Sequence, residues 1–176
     1  IYIYVEMRSS KIIDGVNISG KFDFVEQARV KDAKTTKVYS WIKGSSESRY
    51  MMQGSMYRML NPDIIRDDYM DVMYIFTDWN EFKAKADPKS YPQKRAMTRT
   101  LKLLSIPETE KWVSQQLSRI KVATALPQEK LPLCTPDELW MDAPQWAFYK
   151  DKTKMTRATK LFDDEAEANR AHSTHG

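Results

Sequence analysis

The 176-residue chain (20.6 kDa) is 41% hydrophobic and 30% charged, with 28 Lys and Arg against 24 Asp and Glu, a net charge of +4 and a pI near 9.0. A mean hydropathy of -0.63 argues against a bundle of membrane-spanning helices, an aromatic share of 11% excludes wholesale disorder, and the small excess of base permits a polyanionic partner without demanding one. The single cysteine, Cys134, rules out an intrachain disulfide or a cysteine metal cage, and both histidines, His172 and His175, fall in the last five residues, so an enzyme of this sequence would have to work with carboxylates, lysine, tyrosine or an oxygen-bound metal.

The chain starts at Ile1 directly in a strand-like pattern, and we expect sequence upstream of it. Ile1, Ile3 and Val5 alternate with Tyr2, Tyr4 and Glu6 at period two. Asp14-Gly15 signals a turn, followed by strands over 16–25 and 28–35, so residues 1–34 read as a three-stranded antiparallel meander. A helix is expected over 45–60, capped by Ser45 or Ser46 and stopped by Asn61-Pro62, with Tyr50, Gln53, Met56, Tyr57 and Leu60 on one face. The stretch 71–79 reads as a buried strand, 80–94 as a polar loop with two prolines, and 97–104 as a strand. A helix follows from Pro107 to about Ala123, with acids in its first turn. Residues 145–149 and 156–162 form a hairpin across Asp151-Lys152, and 163–171 a short polar helix. The pattern is a mixed α/β (α+β) domain: a central mixed sheet that opens with an antiparallel meander and is flanked by helices. Residues 1–126 form the core, and 127–176 a C-terminal extension of the same globular unit.

The informative stretch is residues 18–37. Asp23 lies near the end of the second strand; Asp32 and Lys34, two residues apart on the third, share a face. Pairing of the two strands would bring Asp23 and Asp32 together. Two adjacent carboxylates repel unless a hard cation sits between them, and Mg²⁺ prefers such oxygen ligands; the backbone carbonyl of Ala33 adds a further oxygen. Lys34 beside them would counter charge on a phosphorane-like transition state. An acid-x-Lys triplet means little alone, since Glu81-Phe82-Lys83 and Asp87-Pro88-Lys89 also have it. Only Asp32-Ala33-Lys34 follows an Asp on a predicted partner strand. The bland account of these residues is a solvated ion-pair cluster, and that of Gln53 and Tyr57 is helix packing. Among other residues, Trp79 and Tyr74 read as core and Cys134 as a small buried residue. Arg49 and Arg58 are expected on a solvated face, and the six bases between Lys83 and Arg99 either track a phosphate backbone or are simply solvated.

The ordered set Gly20-x-x-Asp23, Asp32-x-Lys34, Gln53-x-x-x-Tyr57 resembles the RecB-like branch of the PD-(D/E)XK nuclease superfamily. The segments 53–63, Asp78-Trp79, 87–93 and 134–140 resemble its phage and prophage members. The resemblance implies a restriction-endonuclease-like core and Mg²⁺- or Mn²⁺-dependent hydrolysis of DNA, most readily as an exonuclease of recombination or repair, of a kind that phages encode. It implies Asp23 and Asp32 as metal-binding acids with Ala33, Lys34 as the catalytic lysine, and Gln53 and Tyr57 as residues that support the site and touch DNA. It also implies a bacterial cytoplasmic setting, DNA as partner, no membrane, and a homo-oligomer or a recombination partner protein. Many relatives carry a further Glu or His on a helix before the first strand; no such helix is read here, so that ligand is expected either upstream of Ile1 or not at all, and Glu6 is a weak substitute. The alternatives are a non-catalytic DNA-binding module or a viral structural or assembly protein on the same fold.

Overall fold

The structure is a computed structural model that describes residues 2–135, 138–139, 144–151, 153 and 156–175, the last two of these by backbone alone. The chain divides into two compact units, Ile1–Ala125 and Leu126–Gly176.

The first unit opens on a hairpin that the sequence reads as separate strands. Strands β1 (Ile3–Val5) and β2 (Arg8–Ile13) run out; β3 (Val16–Lys21) and β4 (Phe24–Glu26) run back. β1 pairs with β4 and β2 with β3 in one unbroken register, Val5 opposite Phe24 and Arg8 opposite Lys21. Glu6 N–H donates to Asp23 O (2.8 Å) and Phe22 N–H to Met7 O (3.3 Å), so pairing continues across the gap. The ribbon bends there, where Glu6 adopts φ 49°. Its lower half belongs to the main sheet and its upper half leaves it. At the far end Asp14 (φ 49°) and Gly15 (φ 80°) make the expected tight turn, with both central residues left-handed. The meander is therefore a bent hairpin plus β5 (Arg29–Thr36), and Asp23 sits in the bend, not in a strand. Phe22, at the bend, is buried in the core.

The main sheet has the order β1-β4-β5-β6-β7, with β6 spanning Tyr69–Phe76 and β7 Ala96–Lys102. β5 and β6 are parallel and the other neighbours antiparallel, so the sheet is mixed, as expected. A parallel pair needs a crossover, supplied by α1 (Val38–Lys43) and α2 (Glu47–Leu60). The sequence reading has no α1. Its first free amide, Val38 N–H, donates to Asp78 Oδ1 (2.8 Å), a cap from a distant residue that no local motif announces. The expected loop 80–94 contains a helix, α3 (Glu81–Ala86), because Asn80 Oδ1 caps the Lys83 amide. Helix α4 (Ile106–Thr124) starts as predicted, with a capping box between Ser105 and Glu108 that spans Pro107.

β6 buries alternate residues: Met70, Val72, Tyr74 and Phe76 point into the core with Val25, Val30, Leu101 and Leu103. Only one face of this strand is buried; Tyr69, Met73 and Ile75 are exposed on the other. Trp79 packs at the edge of the core, its indole N–H on Pro92 O (2.8 Å). The upper ribbon, β2–β3, lays Ile13 and Ile18 on α2 and α4, against Met59 and Val113. No helix among the described residues is long and apolar enough to cross a membrane.

In the second unit, a 3-10 turn over Gln128–Lys130 precedes a short hairpin of β8 (Trp146–Phe148) and β9 (Lys160–Phe162), with helix α5 (Glu165–His175). Phe148 and Phe162 are buried. Cys134 is exposed, contrary to the expectation of a small buried residue. Pro136, Asp137 and Trp140 of the 134–140 motif, and Lys152 of the predicted turn, lie outside the described residues.

Candidate active site

The site is built at the junction of the bend and β5. Register fixes its first element: Phe24 lies opposite Lys31, which sets Asp23 across from Asp32 as the pairing is extended by one residue. Parity fixes the second. Val30, Asp32 and Lys34 share the face covered by α2, whereas Lys31 and Ala33 point to the open face. Ala33 thus lies between the acid and the lysine, in register with Met73.

Asp32 is 2% exposed, an unusual place for a carboxylate. Lys34 Nζ donates to its Oδ1 at 3.0 Å and lies 2.8 Å from Oδ2. Oδ2 is out of line for that donor and accepts no hydrogen bond among the described residues. The Asp23 carboxyl approaches within hydrogen-bonding range of Asp32 and is itself exposed. Burial raises the Asp32 pKa, Lys34 pulls it back, and the charge of Asp23 raises it again; the net shift is upward. Burial opposes the charge on Lys34, but Asp32, aided by Asp23 and Tyr57, outweighs it and raises the lysine pKa. Lys34 is therefore a persistent cation at neutral pH and no proton acceptor.

Helix α2 closes the site from above. Gln53 Nε2 donates to Tyr57 Oη (2.7 Å), which leaves the phenol proton free to point elsewhere. Tyr57 packs edge-on to Phe22 and lies over Gly20, where an added Cβ would stand 3.3 Å from the ring and 3.1 Å from Leu60. The glycine of the Gly20-x-x-Asp23 pattern thus has a steric reason: it admits the Tyr57 ring. Tyr50, one turn before Gln53, lies under Lys34 (Nζ to ring centroid 5.5 Å) and beside buried Tyr74, whose phenol burial pushes up to about 12, with Tyr50 and the Asp32 charge adding to the rise. The sequence reading gave Tyr50 no role, although it shares the helix face of Gln53 and Tyr57.

All five residues of the sequence motif that carry functional groups, Asp23, Asp32, Lys34, Gln53 and Tyr57, are brought to one place. Glu6 is not among them: it is opposite Asp23 in the bend, but its carboxylate pairs with Lys21 (2.9 Å). No third acid, cysteine or histidine joins the pair among the described residues. Arg58 is bound to Asp68 (2.6 Å), its side chain largely buried, and Arg49 donates to Ser46 Oγ (3.1 Å). Of the basic stretch 83–99, Arg99 is engaged with Glu47 and stacked on Trp41 (4.6 Å), and Lys85 pairs with Glu81.

No family model and no curated protein matches this sequence. Among solved structures the fold is similar to that of SSO0001, with a TM-score of 0.44 and 14% identity over 74% of this chain. That alignment spans 61% of SSO0001, so this chain covers less than two thirds of its neighbour's length. The donor set of the site suits a hard divalent cation: one exposed and one buried carboxylate side by side, the buried one with an oxygen, Oδ2, that accepts no hydrogen bond among the described residues. Asp23 and Asp32 would hold such an ion; Ala33 stands between Asp32 and Lys34 in β5.

Proposed function

We propose that this protein is a metal-dependent deoxyribonuclease of the RecB-like PD-(D/E)XK type, working as an exonuclease in DNA recombination or repair. The observation that carries the reading is the unbalanced cluster of Asp23, buried Asp32 and Lys34. A purely structural ion pair needs one acid and one base. Here a second carboxylate is set against the first, so two acids share the single cation of Lys34, and a further cation would balance them. Mg²⁺ or Mn²⁺ bound there would supply Lewis-acid chemistry for hydrolysis of a phosphodiester.

The chain's own residues account for the rest. Asp32, fixed by burial and by Lys34, is a rigid anchor; exposed Asp23 leaves one side of the site open to substrate. Lys34 keeps its proton, so it acts by charge and hydrogen bonding towards the oxygens that gain negative charge at phosphorus. The Tyr50 ring shields the lysine on one side, and this strengthens that interaction. Tyr57, braced by Gln53, offers a hydroxyl donor at the mouth.

The test is a cleavage assay with Mg²⁺ or Mn²⁺ on linear, circular and single-stranded DNA. The native protein should degrade linear DNA and spare intact circles. Asp23→Asn and Asp32→Asn should lose about 10³-fold or more in rate, and Lys34→Ala roughly 10²- to 10³-fold, the usual cost of one charge-stabilising donor. Native protein that binds DNA and leaves every substrate intact would replace this reading with the non-catalytic module. Native protein that neither binds nor cuts would favour the viral structural or assembly protein.

A further inference from the structure

The upper half of the bent hairpin has one face on the protein and one face free. The inward residues are spoken for: Ser9 bonds Asn61, Lys11 pairs with Glu110, and Ile13 and Ile18 enter the second apolar cluster. The outward face is set by the register alone. It carries Arg8 opposite Lys21, Ser10 opposite Ser19 and Ile12 opposite Asn17, and all six residues are exposed.

Every polar side chain on this face can donate a hydrogen bond, and none is an acid. Directly opposed like charges destabilise a β-ribbon, yet Arg8 and Lys21 face each other at its base. Lys21 is partly neutralised by Glu6; Arg8 makes no ion pair among the described residues. Between Arg8 and Lys21 the sequence holds three bases and one acid, Asp14, which is confined to the turn. Ile12, 73% exposed, is a bare apolar side chain amid the donors. Lys21 stands two residues from Asp23, so the face leads into the acid pair. Six residues of strand span about 20 Å, the length of several base pairs.

We propose that the outward face of β2–β3 is a track for the backbone of duplex DNA leading to the Asp23–Asp32 site, with Arg8 and Lys21 on phosphates, Ser10, Ser19 and Asn17 donating to phosphate or sugar oxygens, and Ile12 against a sugar or base. The occupant follows from charge and donor complementarity: a phosphodiester chain offers acceptors only. The proposal rests on the nuclease reading for its substrate, and it deepens that reading by naming where the substrate outside the cleavage point lies.

The test reads affinity and cleavage separately. Binding of a labelled 20-base-pair duplex is followed by fluorescence anisotropy across a salt series in the full chain carrying Asp32→Asn; cleavage is followed with Asp32 restored. Arg8→Gln/Lys21→Gln should weaken binding about 10-fold near 0.1 M salt and reduce the salt slope by about 1.8, or 0.9 per phosphate contact. Ser10→Glu/Ser19→Glu should weaken it at least as much. All four positions are exposed; Arg8→Gln/Lys21→Gln removes an opposed like-charge pair and should not lower the thermal midpoint, whereas Ser10→Glu/Ser19→Glu creates one and should lower it slightly; if one pair unfolds the chain, the other decides. Loss of affinity in these variants supports the track whether or not the native protein cuts DNA. Unchanged affinity and slope overturn it, and if the native protein still cleaves, the nuclease reading survives. Native protein that neither binds nor cleaves overturns both.

Discussion

Asp32 shows how one side chain can combine a structural cost with a use. Its ordinary pKa is raised by burial, so the folded state favours the protonated acid. The sign follows: stability contributed by this group is full below the ordinary carboxylate range and is lost as pH rises through the raised value. Lys34 limits that loss. Lys34→Ala should therefore cost about 3 kcal/mol at neutral pH, where it strands a buried charge, and progressively less as the pH is lowered and Asp32 takes up a proton. Thermal unfolding of both proteins from pH 4 to 8 checks this; a gap that stays constant with pH would show that Lys34 acts only by packing. A divalent cation works in the opposite sense, because it competes with the proton. The rise in thermal midpoint on adding Mn²⁺ should grow with pH and vanish in Asp23→Asn and Asp32→Asn. At this scale much was legible. Asp32 and Lys34 share a face because side chains in a strand alternate, which needs only their spacing. The depth of Asp32 was not legible, because it depends on α2 lying overhead.

Helix α2 links the core to the site. Its inner face presents Gly54, where a methyl group would overlap Met70 Sδ and Leu103 Cδ2, and Ser55, whose hydroxyl accepts from the Leu104 amide (3.0 Å) and donates to Met51 O (2.7 Å). The neighbours are residues of the sheet core, with little freedom to retreat. Gly54→Ala should destabilise the protein by about 1–3 kcal/mol, the usual cost of overpacking, although alanine is the better helix former. Chemical denaturation decides it; a neutral or stabilising result would mean that α2 can lift off the sheet. Because Gln53 and Tyr57 flank this position, the same variant should also lower metal-dependent activity. The helix was readable from its cap, its period and its Asn61-Pro62 stop. Elements whose ends are tied by distant residues were not. The first amide of α1 is satisfied by Asp78, forty positions away, and the hairpin keeps one register through a bend that splits the predicted second strand at Phe22-Asp23. Asn80 was the one missed signal that was local: a cap residue hidden by the prolines that follow it.

The two compact units differ in what they can sustain alone. Ile1–Ala125 holds both apolar clusters of the first unit, the whole five-stranded sheet and every residue of the candidate site, and its length is typical of an independent domain. Leu126–Gly176 has about fifty residues and, among those described, only Phe148 and Phe162 as buried large apolar side chains. A chain of that size exposes too much surface relative to its core to be more than marginal without disulfides or metal, and the single Cys134 can provide no disulfide within it. Separated at Ala125, the first unit should unfold cooperatively and keep its Mn²⁺-dependent rise in midpoint, whereas residues 126–176 alone should show little cooperative structure. Circular dichroism melts of both fragments with and without Mn²⁺ provide the check. Retained folding with a lost metal response would place an essential ligand beyond Ala125. A first unit that fails to fold would show that its core is not self-sufficient, despite the sheet and both clusters lying within it.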